Sequence, residues 1–116
     1  MIAILTGDII NSRKHPSSLW MEDLKSILLT LGKTPADWEI YRGDEFQVEI
    51  KDPEKALLIA LQIKAYFKSI GLDVRMSIGI GDKTYNAKKI TESNGSAFIR
   101  SGDVFVNLKK HQNLVT

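Results

Sequence analysis

In the segment WEIYRGDEFQVEI (residues 38–50), apolar and polar residues alternate on both sides of a Gly-Asp-Glu step. Alternation with a period of two is typical of strands that bury one face, so the segment predicts a β-hairpin. Residues directly opposite each other lie on the same face of a sheet, which pairs Ile40 with Val48 and Trp38 with Ile50. This register leaves a loop of three residues, which are Gly43, Asp44 and Glu45.

Four further segments have the periodicity of a strand or a helix. Residues 2–5, IAIL, are uniformly apolar, as in a short strand that is covered on both faces. Apolar residues recur at helical spacing in residues 20–31 and again in residues 56–70. Residues 72–81, LDVRMSIGIG, alternate as a strand does. Together with the hairpin, these segments have the order β-α-β-β-α-β.

The C-terminal part of the chain predicts a third helix over residues 95–110. Gly102 lies inside it, and a glycine is unfavourable in a helix, so we expect another backbone to pack closely there. The final NLVT (residues 113–116) reads as the start of an extra strand, which is left open. The predicted fold class is α+β, with a ferredoxin-like βαββαβ core and a C-terminal helix. We expect residues 1–116 to form one domain, the N-terminal part of a longer protein.

Composition excludes several functional classes. The chain has no cysteine, which excludes a disulfide scaffold, a thiol nucleophile and a thiolate metal site. Its formal net charge of +2 does not indicate nucleic-acid binding by this domain. The apolar runs are too short to span a membrane, and no secretory signal is visible behind Met1. We therefore expect a soluble, cytoplasmic protein with no membrane partner.

Two aspartates are predicted to meet at one edge of the sheet. Asp8 ends the first strand and Asp44 lies in the hairpin turn; in the predicted topology the first and third strands are neighbours. Two nearby carboxylates repel each other unless they are protonated or bridged by a cation, and carboxylate oxygens suit Mg²⁺. We therefore predict a clamp for Mg²⁺ or Mn²⁺, with the carboxylates of Asp8 and Asp44 roughly 4 to 7 Å apart.

The loop that follows Asp8 has the composition of a phosphate site. It offers backbone amides, two polar side chains and two cations before a predicted helix begins, and helix N-termini attract anions. The residues concerned are Asn11, Ser12, Arg13 and Lys14. Carboxylates for a metal beside donors for phosphate predict a site for a nucleotide or another phosphate ligand.

Structural interpretations of the same residues remain open. Aspartate is common in turns, so Asp44 and Glu45 are also explained by turn chemistry alone, and Asp8 by an Asx turn. Arg13 and Lys14 are also explained as a solvated pair of charges, which is what adjacent cations in a loop most often are.

Several motifs resemble those of nucleotidyl cyclases. YRGDEF (residues 41–46) resembles the GGDEF signature of diguanylate cyclases, with Arg42 where the first glycine stands. GDII (residues 7–10) resembles the metal motif of class III adenylate and guanylate cyclases. Taken in order, TGDIINSRK, GDEFQ, SIGIG, GSAFIRSG and LKK resemble the SatD-like proteins, a bacterial group with a nucleotidyl-cyclase-like domain. The resemblance covers most of the chain.

The resemblance implies specific roles for residues of this chain. Asp8 and Asp44 would be metal ligands, the Ile9 carbonyl a third contact, and Glu45 a weaker candidate. On the last helix, Arg100 would contact the phosphates. Ser96 stands where class III cyclases carry an asparagine, which acts there on the transferring phosphoryl group.

Three functions are compatible with these observations. We expect a degenerate regulatory domain that binds Mg²⁺ and a nucleotide or another phosphate ligand without efficient turnover, because the asparagine is missing and Arg42 is bulky. An active metal-dependent nucleotidyl or phosphoryl transferase is the first alternative. A ligand-free dimerisation or docking module is the second, and a homodimer is compatible with all three.

Overall fold

A computed structural model describes the backbone of residues 1–115, and the side chains of residues 1–12 and 14–108. The described chain contains four strands: β1 (Ile2–Ile9), β2 (Trp38–Tyr41), β3 (Glu45–Ile50) and β4 (Val74–Gly81). It contains three α-helices: α1 (Met21–Leu29), α2 (Ala56–Ser69) and α3 (Ser96–Val115). Short 3-10 turns lie at Ser12–Lys14, Ser17–Leu19, Pro53–Lys55 and Ile90–Glu92.

The strands form one sheet in the order β2-β3-β1-β4, and every neighbouring pair is antiparallel. The predicted α+β class is confirmed. No helix in the described part of the chain is both long and apolar enough to cross a membrane.

One face of the sheet is apolar and packs against α1 and α2. Its strand residues alternate as the sequence predicts, and the helices add two stripes of buried apolar side chains. The main contributors are Ala3, Leu5, Phe46, Val48, Val74, Leu24, Leu28, Ile63 and Phe67. Burial of apolar area is the main driving force for folding, so this layer forms the principal core.

The opposite face lies partly beneath α3 and is mixed. Ile4 packs there in a small apolar cluster with Ile90, Ala97 and Phe98, and the rest of the face is polar. The Thr6 and Ser101 hydroxyls are 2.8 Å apart, and Ser77 Oγ donates to the Ser101 carbonyl at 2.7 Å. A Cβ built on Gly79 would overlap the backbone of Ala97 and Ser101. The helix therefore rests directly on a glycine of β4, and buried hydroxyl groups fix its position.

The hairpin forms, but the predicted pairing is shifted by two residues. Trp38 pairs with Val48, and Ile40 pairs with Phe46. The apolar residues keep their face, because a shift of two preserves side-chain alternation. The three-residue loop is Arg42, Gly43 and Asp44, and the first two adopt positive φ angles of 51° and 87°. Glu45 accordingly lies in β3 and not in the loop.

Two expectations about α3 are not met within the described chain. A Cβ on Gly102 would have nothing within 4 Å, so the close backbone approach falls on Gly79 of β4. The extra strand does not form at residues 113–115, whose backbone continues α3. A helix satisfies its own backbone hydrogen bonds, whereas a strand needs a neighbour. Thr116 lies outside the described residues.

Candidate active cleft

Four residues form a row across the whole sheet. Tyr41 on β2 pairs with Glu45 on β3, which pairs with Asp8 on β1, which pairs with Arg75 on β4. Opposite residues project from the same face, so all four side chains belong to the polar face. The row lies where β1 ends and the hairpin turns, which is the edge that the sequence predicted for the site.

Arg75 and Asp8 form a two-pronged ion pair. Arg75 Nε donates to Asp8 Oδ1 at 3.0 Å, and Arg75 Nη2 donates to Asp8 Oδ2 at 2.7 Å. The two side chains are only 18% and 6% exposed. A planar guanidinium matches both oxygens of a carboxylate, and such charge-assisted pairs are among the strongest protein hydrogen bonds. Arg75 therefore balances the charge of Asp8 directly.

Glu45 is the second buried carboxylate of the row. Arg42 Nη1 lies 3.8 Å from Glu45 Oε2, but the Arg42 side chain is 79% exposed. An ion pair of that length with one exposed partner contributes little stability. On the other side of Glu45, burial and then the charge of Glu45 raise the pKa of Tyr41 to about 12. The phenol of Tyr41 is therefore neutral at physiological pH.

Asp44 connects the hairpin to the loop that follows β1. Ser12 Oγ donates to Asp44 Oδ2 at 2.6 Å. Asn11 adopts a left-handed conformation with φ 57°, and its carbonyl accepts from the Lys14 amide at 3.0 Å. Asparagine tolerates this conformation better than most residues, which explains why the 3-10 turn begins there. The loop is thus held against the hairpin turn.

A cleft of ≈ 340 Å³ opens at this edge, and most of the predicted site residues line it. Its lining is Asp8, Ile9, Asn11, Ser12, Lys14, Asp44 and Arg75. Arg13 belongs to the same 3-10 turn, but its side chain lies outside the described part of the chain. Glu45 is beside Asp8 in the row. The sequence therefore predicted which segments meet.

Arg100 does not join these residues. Its Nη1 donates to the Ile80 carbonyl at 2.6 Å. Ile80 and Arg75 lie on the same strand, roughly 17 Å apart at about 3.3 Å per residue. Ser96 is also at that far end, where its hydroxyl accepts from the Asp82 amide at 2.8 Å. The early part of α3 therefore serves to anchor the helix on β4.

The carboxylates predicted to bind a cation already have hydrogen-bonding partners. Both oxygens of Asp8 accept from Arg75, and one oxygen of Asp44 accepts from Ser12. Among the described residues, no group of three or more His, Asp or Glu side chains is arranged to hold a metal ion. These residues do not fit a resident Mg²⁺ ion as they stand, and the cation site stays a prediction.

Arg75 is the residue that sequence reasoning missed. The alternation of LDVRMSIGIG already placed it on the face opposite Val74 and Met76. The missing information was the register between β1 and β4, which sets Asp8 against Arg75. These strands are 67 residues apart at this pair, and periodicity alone does not determine such a register.

A comparison with protein-family models and with curated proteins finds no match for this chain. The resemblance to nucleotidyl cyclases consequently remains a prediction from the motifs.

Proposed function

We propose that the chain is a ferredoxin-like, nucleotidyl-cyclase-like domain that binds a nucleotide or another phosphate-bearing ligand in the cleft without efficient turnover. The strand order β2-β3-β1-β4 with antiparallel neighbours supports the topology, because two βαβ units around a central hairpin give this order. A regulatory role follows if the bound ligand alters how this domain contacts other segments or proteins.

The observation that carries the proposal is the meeting of the Asn11–Lys14 loop with Asp8, Asp44 and Arg75 around one cleft. The loop brings a hydroxyl, an amide side chain and the exposed ammonium of Lys14 to the rim. Such groups bind phosphate oxygens through charge-assisted hydrogen bonds. The cleft is open to solvent, so a charged ligand can enter without first being fully desolvated.

The absence of efficient turnover is supported by two placements. Arg75 takes both oxygens of Asp8, the residue from which the family resemblance would build metal chemistry. Arg100, the arginine expected at the phosphates, instead binds the Ile80 carbonyl at the far end of β4. Phosphoryl transfer depends on positioned charge around the transferring group, but here Asp8 is already paired and Arg100 lies away from the cleft.

Ligand binding is tested by thermal unfolding and calorimetry with pyrophosphate, ATP and GTP, each with Mg²⁺ and with EDTA. A ligand that binds only the folded chain raises the melting temperature by mass action. We expect a shift for at least one compound, and an affinity about twofold to fivefold weaker in Lys14→Gln. The matched control is Lys25→Gln on α1, which removes the same charge away from the cleft and should retain full affinity.

Two results would contradict the proposal. One is the absence of any shift with all three compounds. The other is equal weakening by Lys14→Gln and Lys25→Gln, which would indicate a nonspecific charge effect. Chromatography of the same mixtures checks turnover, and accumulation of a cyclic or condensed nucleotide would favour the transferase alternative.

A docking or homodimerisation module is the second candidate. It is favoured by α2, on which three leucines are more than half exposed: Leu57, Leu58 and Leu61. Exposed apolar side chains that cluster on one helix are typical of interaction surfaces. Light scattering across a concentration series would detect self-association, and a monomer at all concentrations would remove the homodimer from consideration.

A further inference from the structure

The row across the sheet holds two buried acidic side chains on adjacent strands. Asp8 and Glu45 are Cα partners, so their Cβ atoms lie roughly 4.5 to 5.5 Å apart on one face. Their side chains are only 6% and 9% exposed. Two like charges at this spacing, largely removed from water, require a compensating positive charge.

The sheet itself supplies that charge. Arg75 lies on β4, which flanks β1 on the side away from Glu45. Its guanidinium donates to both Asp8 oxygens. A guanidinium keeps its charge throughout the pH range in which proteins are folded. It also needs no ligand from solvent to remain in place, because its stem is anchored within β4.

We infer that Arg75 is a built-in counter-cation for this cleft, so that the buried charge of Asp8 is compensated without a divalent metal ion. The cleft then does not hold Mg²⁺ at millimolar concentrations. Any phosphate-bearing ligand binds there independently of Mg²⁺. The last statement rests on the proposed function, whereas the statement about the metal does not.

Electrostatics disfavours joint occupancy of Asp8 by Arg75 and a divalent ion. An ion coordinated by an Asp8 oxygen at about 2.1 Å would lie within roughly 5 Å of the guanidinium carbon. The Asp8 and Arg75 side chains are less than one-fifth exposed, so repulsion between the two cations is only partly screened there. The ion would therefore compete with Arg75 and its two charge-assisted hydrogen bonds for Asp8.

The test uses Mn²⁺ alone as the probe, so the outcome does not depend on any nucleotide. Electron paramagnetic resonance gives the bound fraction for the unaltered chain and for Arg75→Gln. We expect no specific binding by the unaltered chain up to about 1 mM, and at least about tenfold tighter binding by Arg75→Gln. Mn²⁺ should also raise the melting temperature of that variant and leave the unaltered chain unmoved.

Two control variants test whether a gain in Mn²⁺ affinity depends on the Asp8–Arg75 ion pair. Arg42→Gln removes the same charge from the side of Glu45 but leaves Arg75 on Asp8, so it should gain no Mn²⁺ affinity. The double variant Asp8→Asn with Arg75→Gln removes the pair as a neutral unit and should bind no Mn²⁺ either. Circular dichroism confirms that each variant is folded before titration.

Three results would overturn the inference: Mn²⁺ binding by the unaltered chain that Asp8→Asn abolishes, no gain in a folded Arg75→Gln, or an equal gain in Arg42→Gln. If Arg75→Gln does not fold, the unaltered chain still decides the question, since its titration requires no variant. Failure of every nucleotide to bind would leave these Mn²⁺ results unaffected, so the two proposals fail separately.

Discussion

The two faces of the sheet are buried by different means. The face under α1 and α2 is covered by aliphatic and aromatic side chains, with Leu5, Phe46 and Val74 fully buried. The opposite face is also largely buried. Besides the small apolar cluster around Ile4, it holds carboxylates, hydroxyls and a guanidinium, and those buried polar groups are engaged in hydrogen bonds and ion pairs. The same four strands thus contribute to a core on one side and to a candidate site on the other.

This difference separates two kinds of physical constraint. Apolar packing is nearly non-directional. A sheet face with apolar residues of the right period and volume is therefore buried by the helices without needing one specific partner for each residue. A polar face requires particular partners at particular distances, because an unpaired buried charge is costly. The face under α1 and α2 therefore provides most of the apolar stabilisation, whereas the polar groups of the opposite face determine which residues meet.

Adjacent leucines on α1 test the first half of this comparison. Leu28 is fully buried, whereas Leu29 is 61% exposed. We expect Leu28→Ala to lower the free energy of unfolding by about 3 kcal/mol, through lost burial and the cavity left behind. The same change at Leu29 should cost less than about 0.5 kcal/mol. Urea titration followed by circular dichroism measures both values.

Equal losses at the two positions would contradict the assignment of faces. In that case the exposed side of α1 would be covered in solution, and light scattering on the same samples would detect the partner chain.

The helices and the apolar faces of the strands could be predicted because each depends on a local period. Leu24 and Leu28 follow the helical repeat, and Phe46, Val48 and Ile50 follow the strand repeat. The hairpin register could not be obtained in this way. Side-chain alternation excludes a shift of one residue between the paired strands but permits a shift of two. The positive φ angles of Arg42 and Gly43 select among the permitted registers.

Two glycines test how α3 is held on the polar face. Gly79→Ala would place a Cβ against the backbone of Ala97 and Ser101, so the helix would have to move. We expect a loss of about 2 kcal/mol in the free energy of unfolding, typical of overpacking. Gly102→Ala is the control: it meets nothing within 4 Å and should stabilise the chain by about 0.5 to 1 kcal/mol through helix propensity.

Chemical denaturation of both glycine variants gives the comparison directly. A stable Gly79→Ala chain would mean that α3 does not rest on β4 as described. A destabilising Gly102→Ala substitution that also reduced self-association would show that a second chain packs against that glycine.

The sequence predicted which segments of the chain meet at the site, but not which side chains pair with each other there. Asp8, Asp44 and the Asn11–Lys14 loop meet because the strand order brings two chain reversals to one edge. The partner of Asp8 could not be predicted, since the register of β4 against β1 depends on the packing of the whole sheet. The resemblance implied that Arg100 contacts the phosphates; its position beside the Ile80 carbonyl likewise depends on where α3 lies along β4.

The smallest effect concerns Tyr41, whose pKa is raised to about 12 by burial and by the nearby charge of Glu45. In the unfolded chain the phenol titrates near its ordinary value of about 10. Because the folded value is the higher one, this contribution to stability is complete below about pH 10 and is lost as the pH rises towards about 12. Between about pH 9 and about pH 11, the free energy of unfolding should fall further in the unaltered chain than in Tyr41→Phe. Allowing for the partial exposure of the ring, we expect a difference of about 0.5 kcal/mol.

Urea titrations at several pH values measure this difference in the free energy of unfolding. Glu45→Gln should reduce the difference, because it removes the second cause of the raised Tyr41 pKa. Parallel pH profiles for the unaltered chain and Tyr41→Phe would show that Tyr41 does not lie beside a charged carboxylate, and the polar row would then be incorrectly assembled at β2.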